Sequence, residues 1–224
     1  PAINSGDISI QYDPGDFDQR GVGFNRVVNG RIDIGAFESQ EIYPETPSLT
    51  VTTELDVVDE FDHKTSLREA ILYANSLPGK DTIDFASWYF HNTERTITLA
   101  HGELELTEAV IIGGAGRDYL TIDANGQSRI FNITATTGDF EIWSLHLSRG
   151  RVVGDNADAD DSTFSGGAVR SITNGTVQIA GCVIDSSSTV GDYAMGGAVF
   201  AAGQIELDRV SLKSNSTFGY MASG

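Results

Sequence analysis

The feature that most constrains the fold of this chain is a four-residue motif that occurs twice. Gly-Gly-Ala-Val stands at 166–169 and again at 196–199. A strand-like segment follows each copy, at 177–184 and at 205–212, and the alignment of the two places Val177 with Ile205. A repeat of roughly 30 residues cannot bury its own apolar face, so the pattern indicates repeats that stack on one another.

A third segment, at 140–147, fits the same template at a wider interval, and the longer loop at 150–165 accounts for the difference. Apolar residues alternate with others in each segment, which is typical of a β-strand with one face in a core. The residues predicted to point inward are Phe140, Ile142, Leu145, Leu147, Val177, Ile179, Cys182, Ile184, Ile205, Leu207, Val210 and Leu212.

These repeats predict an all-β solenoid with one coil per repeat. Small polar residues follow the segments, at 185–188 and 214–216, and suit the tight corners that such a fold needs. The region 96–224 has room for about four or five coils at these intervals. A β-sandwich or a propeller stays open as an alternative, because both also consist of short strands separated by turns.

One helix is predicted over 66–76. Ser66 and Glu69 have the spacing of a capping box, and Pro78-Gly79 ends the segment. The apolar face consists of Leu67, Ala70, Ile71, Ala74 and Leu77. A helix in front of the first coil is expected to cover the open end of the solenoid, which is otherwise an exposed edge.

Composition excludes several classes of partner. The chain has 32 acidic and 14 basic residues and a net charge of −18, which argues against binding of nucleic acid or anionic lipid. No apolar run approaches the roughly 20 residues that span a bilayer, so no membrane insertion is expected within this segment. The single cysteine, Cys182, allows neither an intrachain disulfide nor a cysteine-based zinc site.

Two acidic segments are candidate Ca²⁺ sites, because they crowd the oxygen ligands that this ion prefers. The first comprises Asp155, Asn156, Asp158, Asp160 and Asp161. The second comprises Asp13, Asp16 and Asp18. Neither has the glycine and terminal glutamate of an EF-hand loop, and a solvated acidic loop is the alternative for both.

The sequence predicts no catalytic residues. The outward carboxylates of the repeats are few and scattered, namely Glu141, Asp185, Glu206 and Asp208. The four histidines show no metal-ligand spacing. The alternative left open is a carbohydrate-binding module, or a polysaccharide lyase or hydrolase, that uses the side of a parallel β-helix.

Two blocks of the chain resemble known families. The block Thr65-Ser-Leu-Arg-Glu-Ala70, with the segment 74–83 after it, resembles the CSLREA domain, with Thr65 in place of the cysteine. The segments 18–21 and 33–38 resemble the C-terminal part of the choice-of-anchor Q domain. The resemblance implies right-handed parallel β-helix repeats in a large bacterial protein that is secreted or on the cell surface, and it implies no particular activity.

The order of the two blocks predicts a junction between modules. Residues 1–40 are expected to end one module, 41–48 to link, 49–95 to cap the next module and 96–224 to begin its coils, with the last coil truncated. The expected function is structural: a stalk, fibre or adhesin shaft, stiffened by Ca²⁺, that joins neighbouring copies or modules head to tail. Glycans are a further candidate partner.

Overall fold

The structure is a computed structural model that describes residue 6 and residues 16–28, 32–39, 44–158 and 161–224. The chain divides into two compact units. The first, here called the N-terminal unit, comprises Pro1–Pro47 and Asp59–Lys64. The second, here called the β unit, comprises Ser48–Val58 and Thr65–Gly224. In the parts of the chain that the structure describes, no helix has the length and apolar character needed to cross a bilayer.

The β unit contains two helices and eighteen strands within its described residues. The helices are α1 (Leu67–Ser76) and α2 (Ser87–Phe90). The strands are β1 (Thr50–Val51), β2 (Asp81–Phe85), β3 (Arg95–Thr98), β4 (Leu104–Leu106), β5 (Val110–Gly113), β6 (Leu120–Asp123), β7 (Phe131–Ile133), β8 (Phe140–Trp143), β9 (His146–Ser148), β10 (Arg151–Val153), β11 (Val169–Ser171), β12 (Thr176–Ala180), β13 (Val183–Asp185), β14 (Ser188–Val190), β15 (Val199–Ala201), β16 (Gln204–Asp208), β17 (Ser211–Lys213) and β18 (Ser216–Phe218).

The strands form four sheets, and every strand pair between them is parallel. The sheet orders are β1-β2-β5-β8-β12-β16, β3-β6-β9-β13-β17, β4-β7-β11-β15 and β10-β14-β18. From β2 onward, consecutive strands lie in different sheets, and the chain returns to a sheet after one repeat. A mostly parallel all-β fold with little helix is therefore confirmed, and the antiparallel sandwich and propeller are excluded.

The register of the strands is the one that the repeats predict. Val177 pairs with Phe140 on one side and with Ile205 on the other, as the alignment of the three segments requires. Val169 pairs with Val199, so the two Gly-Gly-Ala-Val motifs lie side by side. The alignment is therefore confirmed residue by residue.

Inward side chains of successive strands stack into rows that form the core. The row of the six-stranded sheet consists of Ile83, Ile112, Ile142, Ile179 and Leu207. The row of the five-stranded sheet consists of Ile97, Ile122, Leu147, Ile184 and Leu212. All members except the last of each row are at most 1% exposed. Each such side chain stabilises the fold by about 1.5–3 kcal/mol when it is fully buried.

The Gly-Gly-Ala-Val motif has a steric cause. Gly166 and Gly196 have a left-handed backbone, with φ of +69° and +64°. A Cβ atom on Gly167 would lie 2.2 Å from the carbonyl oxygen of Gly197 in the next repeat. Because the backbones of the two repeats approach this closely, a side chain does not fit between them.

Tight corners join strands of different sheets, as the small polar segments predict. Ser186 and Ser214 have φ of 52° and follow β13 and β17 at matching places. Ser144 and Arg209 follow β8 and β16 in the same way, with φ of 54° and 53°. A single left-handed residue redirects the chain without adding length, so the corners keep the repeats in register.

Helix α1 lies where the sequence predicts it, with Ser66 as its N-cap. The Ser66 hydroxyl accepts a hydrogen bond from the Glu69 N–H at 3.1 Å, and the Glu69 carboxylate accepts one from the Ser66 N–H at 2.7 Å. The predicted capping box is thus present. Leu67, Ala70, Ile71 and Ala74 form the buried face, whereas Leu77 is the C-cap and half-buried.

Helix α2 is a single turn for which the sequence holds no capping signal. Phe90 is buried, and its ring meets that of Phe85 edge to face with 5.1 Å between the centroids. The guanidinium carbon of Arg95 lies 3.6 Å from the centroid of the Tyr89 ring. Trp88 is 77% exposed. The aromatic run at 88–90 therefore packs through Phe90 and Tyr89, and Trp88 faces solvent.

An ion pair between Asp56 and Arg68 fastens α1 to the loop after β3. Arg68 Nε and Nη2 lie 2.8 Å and 3.0 Å from the two Asp56 carboxylate oxygens. The guanidinium also donates to the carbonyl oxygens of Gly102 and Glu103, and the N–H of Ala100 donates to Asp56. Burial raises the pKa of Asp56, but the Arg68 guanidinium and the N–H donors outweigh burial and lower that pKa below its ordinary value.

We expect Asp56→Asn to lower the free energy of unfolding by about 3–5 kcal/mol, because it removes the counter-charge of a largely buried guanidinium. The effect belongs to the ionised carboxylate, whose folded pKa is lowered. The loss in free energy of unfolding caused by Asp56→Asn is therefore largest above the pKa of an unfolded aspartate, about 3.9. It disappears as the pH falls through the lowered pKa of Asp56 in the folded state. Urea unfolding at neutral and acidic pH measures both quantities. An equal loss in the exposed control Glu108→Gln would contradict the assignment.

Candidate functional site

The acidic loop at 154–161 is held to the β unit by Asn156, which is 3% exposed. Its side-chain amide donates to the carbonyl oxygen of Tyr193 at 2.9 Å and to Ser165 Oγ at 3.1 Å, and its oxygen accepts from the N–H of Phe164 at 2.8 Å. Asp155 Oδ1 accepts from the N–H of Asp192 in the next repeat at 2.8 Å. These two predicted Ca²⁺ ligands therefore connect the loop to the neighbouring repeat.

Asp158 and Asp161 use their carboxylates to fold the loop itself. Asp158 Oδ1 accepts from the N–H of Asp161 at 3.1 Å. Asp161 accepts from the N–H of Ala157 and from both the hydroxyl (2.7 Å) and the N–H (2.9 Å) of Thr163. The Thr163 hydroxyl and these N–H groups lower the pKa of Asp161 to about 2.

The Ca²⁺ site of this loop stays a prediction. Within the described residues, no three His, Cys, Asp or Glu side chains are arranged to hold a metal ion. Asp160, one of the five predicted ligands, lies outside those residues.

A second set of predicted Ca²⁺ ligands lies in the N-terminal unit, where Asp18 forms an ion pair with Arg20. The guanidinium also donates to the carbonyl oxygen of Glu38, and the N–H of Glu38 donates to Asp18 Oδ2 at 2.8 Å. The hydrogen bonds from Arg20 hold the pKa of Asp18 well below its ordinary value. Asp13 lies outside the described residues, so calcium binding by Asp13, Asp16 and Asp18 also stays a prediction.

The same network involves both the segment 18–21 and the segment 33–38. The Glu38 carboxylate accepts from the N–H of Asp33 at 2.7 Å, and Asp33 Oδ2 accepts from the N–H of Ser39 at 2.6 Å. Burial raises the pKa of Glu38 above its ordinary value. Acidic residues here therefore bind backbone N–H groups of an irregular segment. The assignment of residues 1–40 to a preceding module stays a prediction.

The outward carboxylates of the sheets have separate partners. Glu141 forms an ion pair with Lys80. Asp208 accepts from Arg209 Nε at 3.0 Å. The first pair joins residues of different repeats and the second joins sequence neighbours, and each consists of one acidic and one basic side chain.

Asp185 lies in a polar cluster on the five-stranded sheet. Ser148 Oγ donates to Asp185 Oδ1 at 2.6 Å. His146 Nε2 lies 3.1 Å from Asp185 Oδ2 without hydrogen-bond alignment, and its Nδ1 atom lies 3.4 Å from the Thr121 hydroxyl. A serine nucleophile is activated by a hydrogen bond to a base such as histidine, whereas Ser148 bonds the carboxylate. The contacts of these residues are therefore those of a cross-strand polar cluster.

A groove that sequence patterns do not predict lies at the corner between the six-stranded and five-stranded sheets. It encloses a cavity of about 610 Å³. Its large polar and aromatic lining residues are Arg117, Asp118, Trp143, Gln178, Asp208 and Arg209. An adjacent cavity of about 400 Å³ shares two of these residues, Arg117 and Asp118. We call the two cavities together the corner groove.

A second surface feature is the apolar edge formed by the inward residues of the last repeat, Val199, Ile205, Leu207 and Leu212. Ile205, Leu207 and Leu212 are 37%, 47% and 52% exposed. They line a cavity of about 440 Å³. The residues that occupy the same positions one repeat earlier are at most 1% exposed, because the last repeat covers them.

Comparisons with known proteins give no relative from which a function follows. No model of a protein family matches the chain, and no curated protein or solved structure matches it either.

Removal of the Thr163 hydroxyl tests how the acidic loop folds. We expect Thr163→Val to raise the pKa of Asp161 from about 2 toward the ordinary carboxyl value, because the hydroxyl is the strongest of the donors that stabilise the carboxylate. A pH titration of the carboxyl carbon by NMR measures the change. The exposed Thr107→Val variant is the control, and an unchanged Asp161 pKa in Thr163→Val would contradict the arrangement.

Proposed function

We propose that this chain is a structural tandem-repeat segment. In this proposal its four parallel sheets are the faces of a right-handed β-helix that serves as the shaft of a stalk, fibre or adhesin. The observation that carries the proposal is the continuous parallel pairing from β2 to β18. The resemblance of residues 65–83 to the CSLREA domain supports a secreted or cell-surface bacterial protein.

Continuous pairing suits a shaft because each repeat is paired with its neighbours in the six-stranded, five-stranded and four-stranded sheets, and from β10 onward in the three-stranded sheet as well. The rows of buried isoleucine and leucine side chains run through all repeats of the six-stranded and five-stranded sheets. In a fold of this type, the free energy of unfolding is approximately the sum of the contributions of the single repeats and of the interfaces between neighbouring repeats. A further repeat therefore extends the existing core and needs no core of its own.

The apolar edge supports further stacking, because its inward side chains occupy the positions that a following repeat covers elsewhere in the β unit. An unpaired parallel edge presents unbonded N–H and C=O groups, and its exposed leucine and isoleucine side chains favour burial. The edge and the α1 end of the β unit are different surfaces, so a contact between them is heterologous and extends without closing. Neighbouring copies or modules of the same protein, joined head to tail, are the partners that this contact requires.

A charge on the apolar edge tests the assembly. We expect the wild-type chain to form larger species as its concentration rises, and Leu207→Asp to stay monomeric, because the charge would be buried in the contact. Sedimentation velocity over a concentration series measures this. The control is Glu206→Lys, whose side chain points outward from the same strand and whose assembly should be unchanged. A wild-type chain that is monomeric throughout overturns head-to-tail assembly of separate copies, whereas a covalent tandem of modules is compatible with that result.

Electron microscopy of the assembled chain tests both the shaft and the calcium prediction. Long, thin particles are the expected result, and compact particles would contradict a shaft. If Ca²⁺ at 154–161 stiffens the shaft, addition of EDTA will shorten or dissolve the particles. Particles of unchanged length and straightness in EDTA would show that calcium is not needed.

A further inference from the structure

We propose that the corner groove binds a neutral oligosaccharide, with the indole of Trp143 as a stacking surface. This binding does not depend on head-to-tail assembly, because the groove lies on the side of the repeats and the apolar edge at their end. It adds a recognition function to the proposed structural one.

Trp143 lies outward in the six-stranded sheet, where its neighbours in the same row are Gly113 and Ala180. Because both neighbours are small, no large side chain stands beside the indole in this row, and Trp143 is 38% exposed. A partly exposed tryptophan beside small residues offers a large apolar surface together with one hydrogen-bond donor. The C–H face of a pyranose ring packs on such a surface while the hydroxyls at its rim stay hydrogen-bonded.

The floor of the groove consists of the corners that join the two sheets. Ser144 and Gly181 occupy matching corners with φ of 54° and 63°, and neither has a side chain large enough to fill the space above it. Arg117, between β5 and β6, reaches the corner after β16 three repeats further along, where its Nη1 atom lies 3.4 Å from the carbonyl oxygen of Arg209. The guanidinium thereby places several N–H donors along the floor.

The charge of the groove selects a neutral ligand. The chain as a whole has a net charge of −18. The charges of the groove lining, in contrast, cancel, because the lining contains three arginines and three acidic residues. These are Arg95, Arg117, Arg209, Glu94, Asp118 and Asp208. Guanidinium donors and carboxylate acceptors side by side match hydroxyl groups, which both donate and accept, whereas a polyanion would meet the three carboxylates.

The length of the groove favours an oligosaccharide over a single sugar. The two cavities have volumes of about 610 Å³ and 400 Å³ and meet at Arg117 and Asp118. The second cavity adds Tyr119, which is 40% exposed, as another aromatic surface. A chain of several sugar rings that stacks on Trp143 and Tyr119 would span both cavities, each of which has the size of an ordinary ligand site.

The chain has two tryptophans, which gives the experiment a matched control. Trp88, on α2, is more exposed than Trp143 and does not line the groove. The probes are cellohexaose, xylohexaose, mannohexaose and chitohexaose, with hexagalacturonate and a heparin hexasaccharide as anionic counterparts. Calorimetric titration of the full chain with each probe gives the affinity. Fluorescence of the Trp88→Phe variant then reports on Trp143 alone.

We expect saturable binding of at least one neutral hexasaccharide, with a shift in Trp143 fluorescence. Trp143→Ala should weaken this binding by about tenfold or more, as should Arg117→Ala, whereas Trp88→Ala should leave it unchanged. Thermal unfolding of the variants checks that each is folded. The proposal is overturned if no neutral probe binds at millimolar concentration, if only the anionic probes bind, or if Trp143→Ala binds as well as the wild type.

Discussion

The structure depends on the register between parallel repeats, in which each inward apolar side chain must lie over another. Side chains alternate between the two faces of a strand, so a slip of one residue would turn a whole row toward solvent. The rows that begin at Ile83 and Ile97 keep this alignment through five strands each, although the repeats differ in length. The differences in repeat length lie in the corners and loops, and the paired strands keep their register.

Much of this arrangement can be predicted from the sequence, because both of its periods appear there. These are the two-residue alternation of apolar side chains within a strand and the spacing of roughly 30 residues between repeats. The alternation in 140–147 and the Gly-Gly-Ala-Val motif predict the strands and their pairing, and Ser66 with Glu69 predicts α1. The earliest repeats carry no such motif. The sequence therefore gives no sign that β1 and β2, within the segment 49–95, already belong to the six-stranded sheet, or that the three-stranded sheet begins only at β10. The ion pair of Asp56 with Arg68 is likewise hidden, because its other partners lie far along the chain, in the loop after β3.

Candidate sites are harder to predict because composition does not reveal which atoms the fold already uses. Crowded aspartates suggest a cation site at 154–161, yet Asn156 binds Tyr193 and Asp161 binds Thr163. The corner groove shows the opposite case. Its residues come from successive repeats, so Arg117, Trp143 and Arg209 are far apart in the sequence, and only the register brings Arg117 and Arg209 together.

The corner between the three-stranded and four-stranded sheets has a consequence for how such a chain varies. In one repeat the connection from β10 to β11 occupies residues 154–168, and in the next the connection from β14 to β15 occupies only 191–198. The paired strands on either side keep the same register in both cases. A peptide inserted at this corner therefore leaves the scaffold unchanged, which makes it a natural point for new loops in evolution and for grafted sequences in engineering.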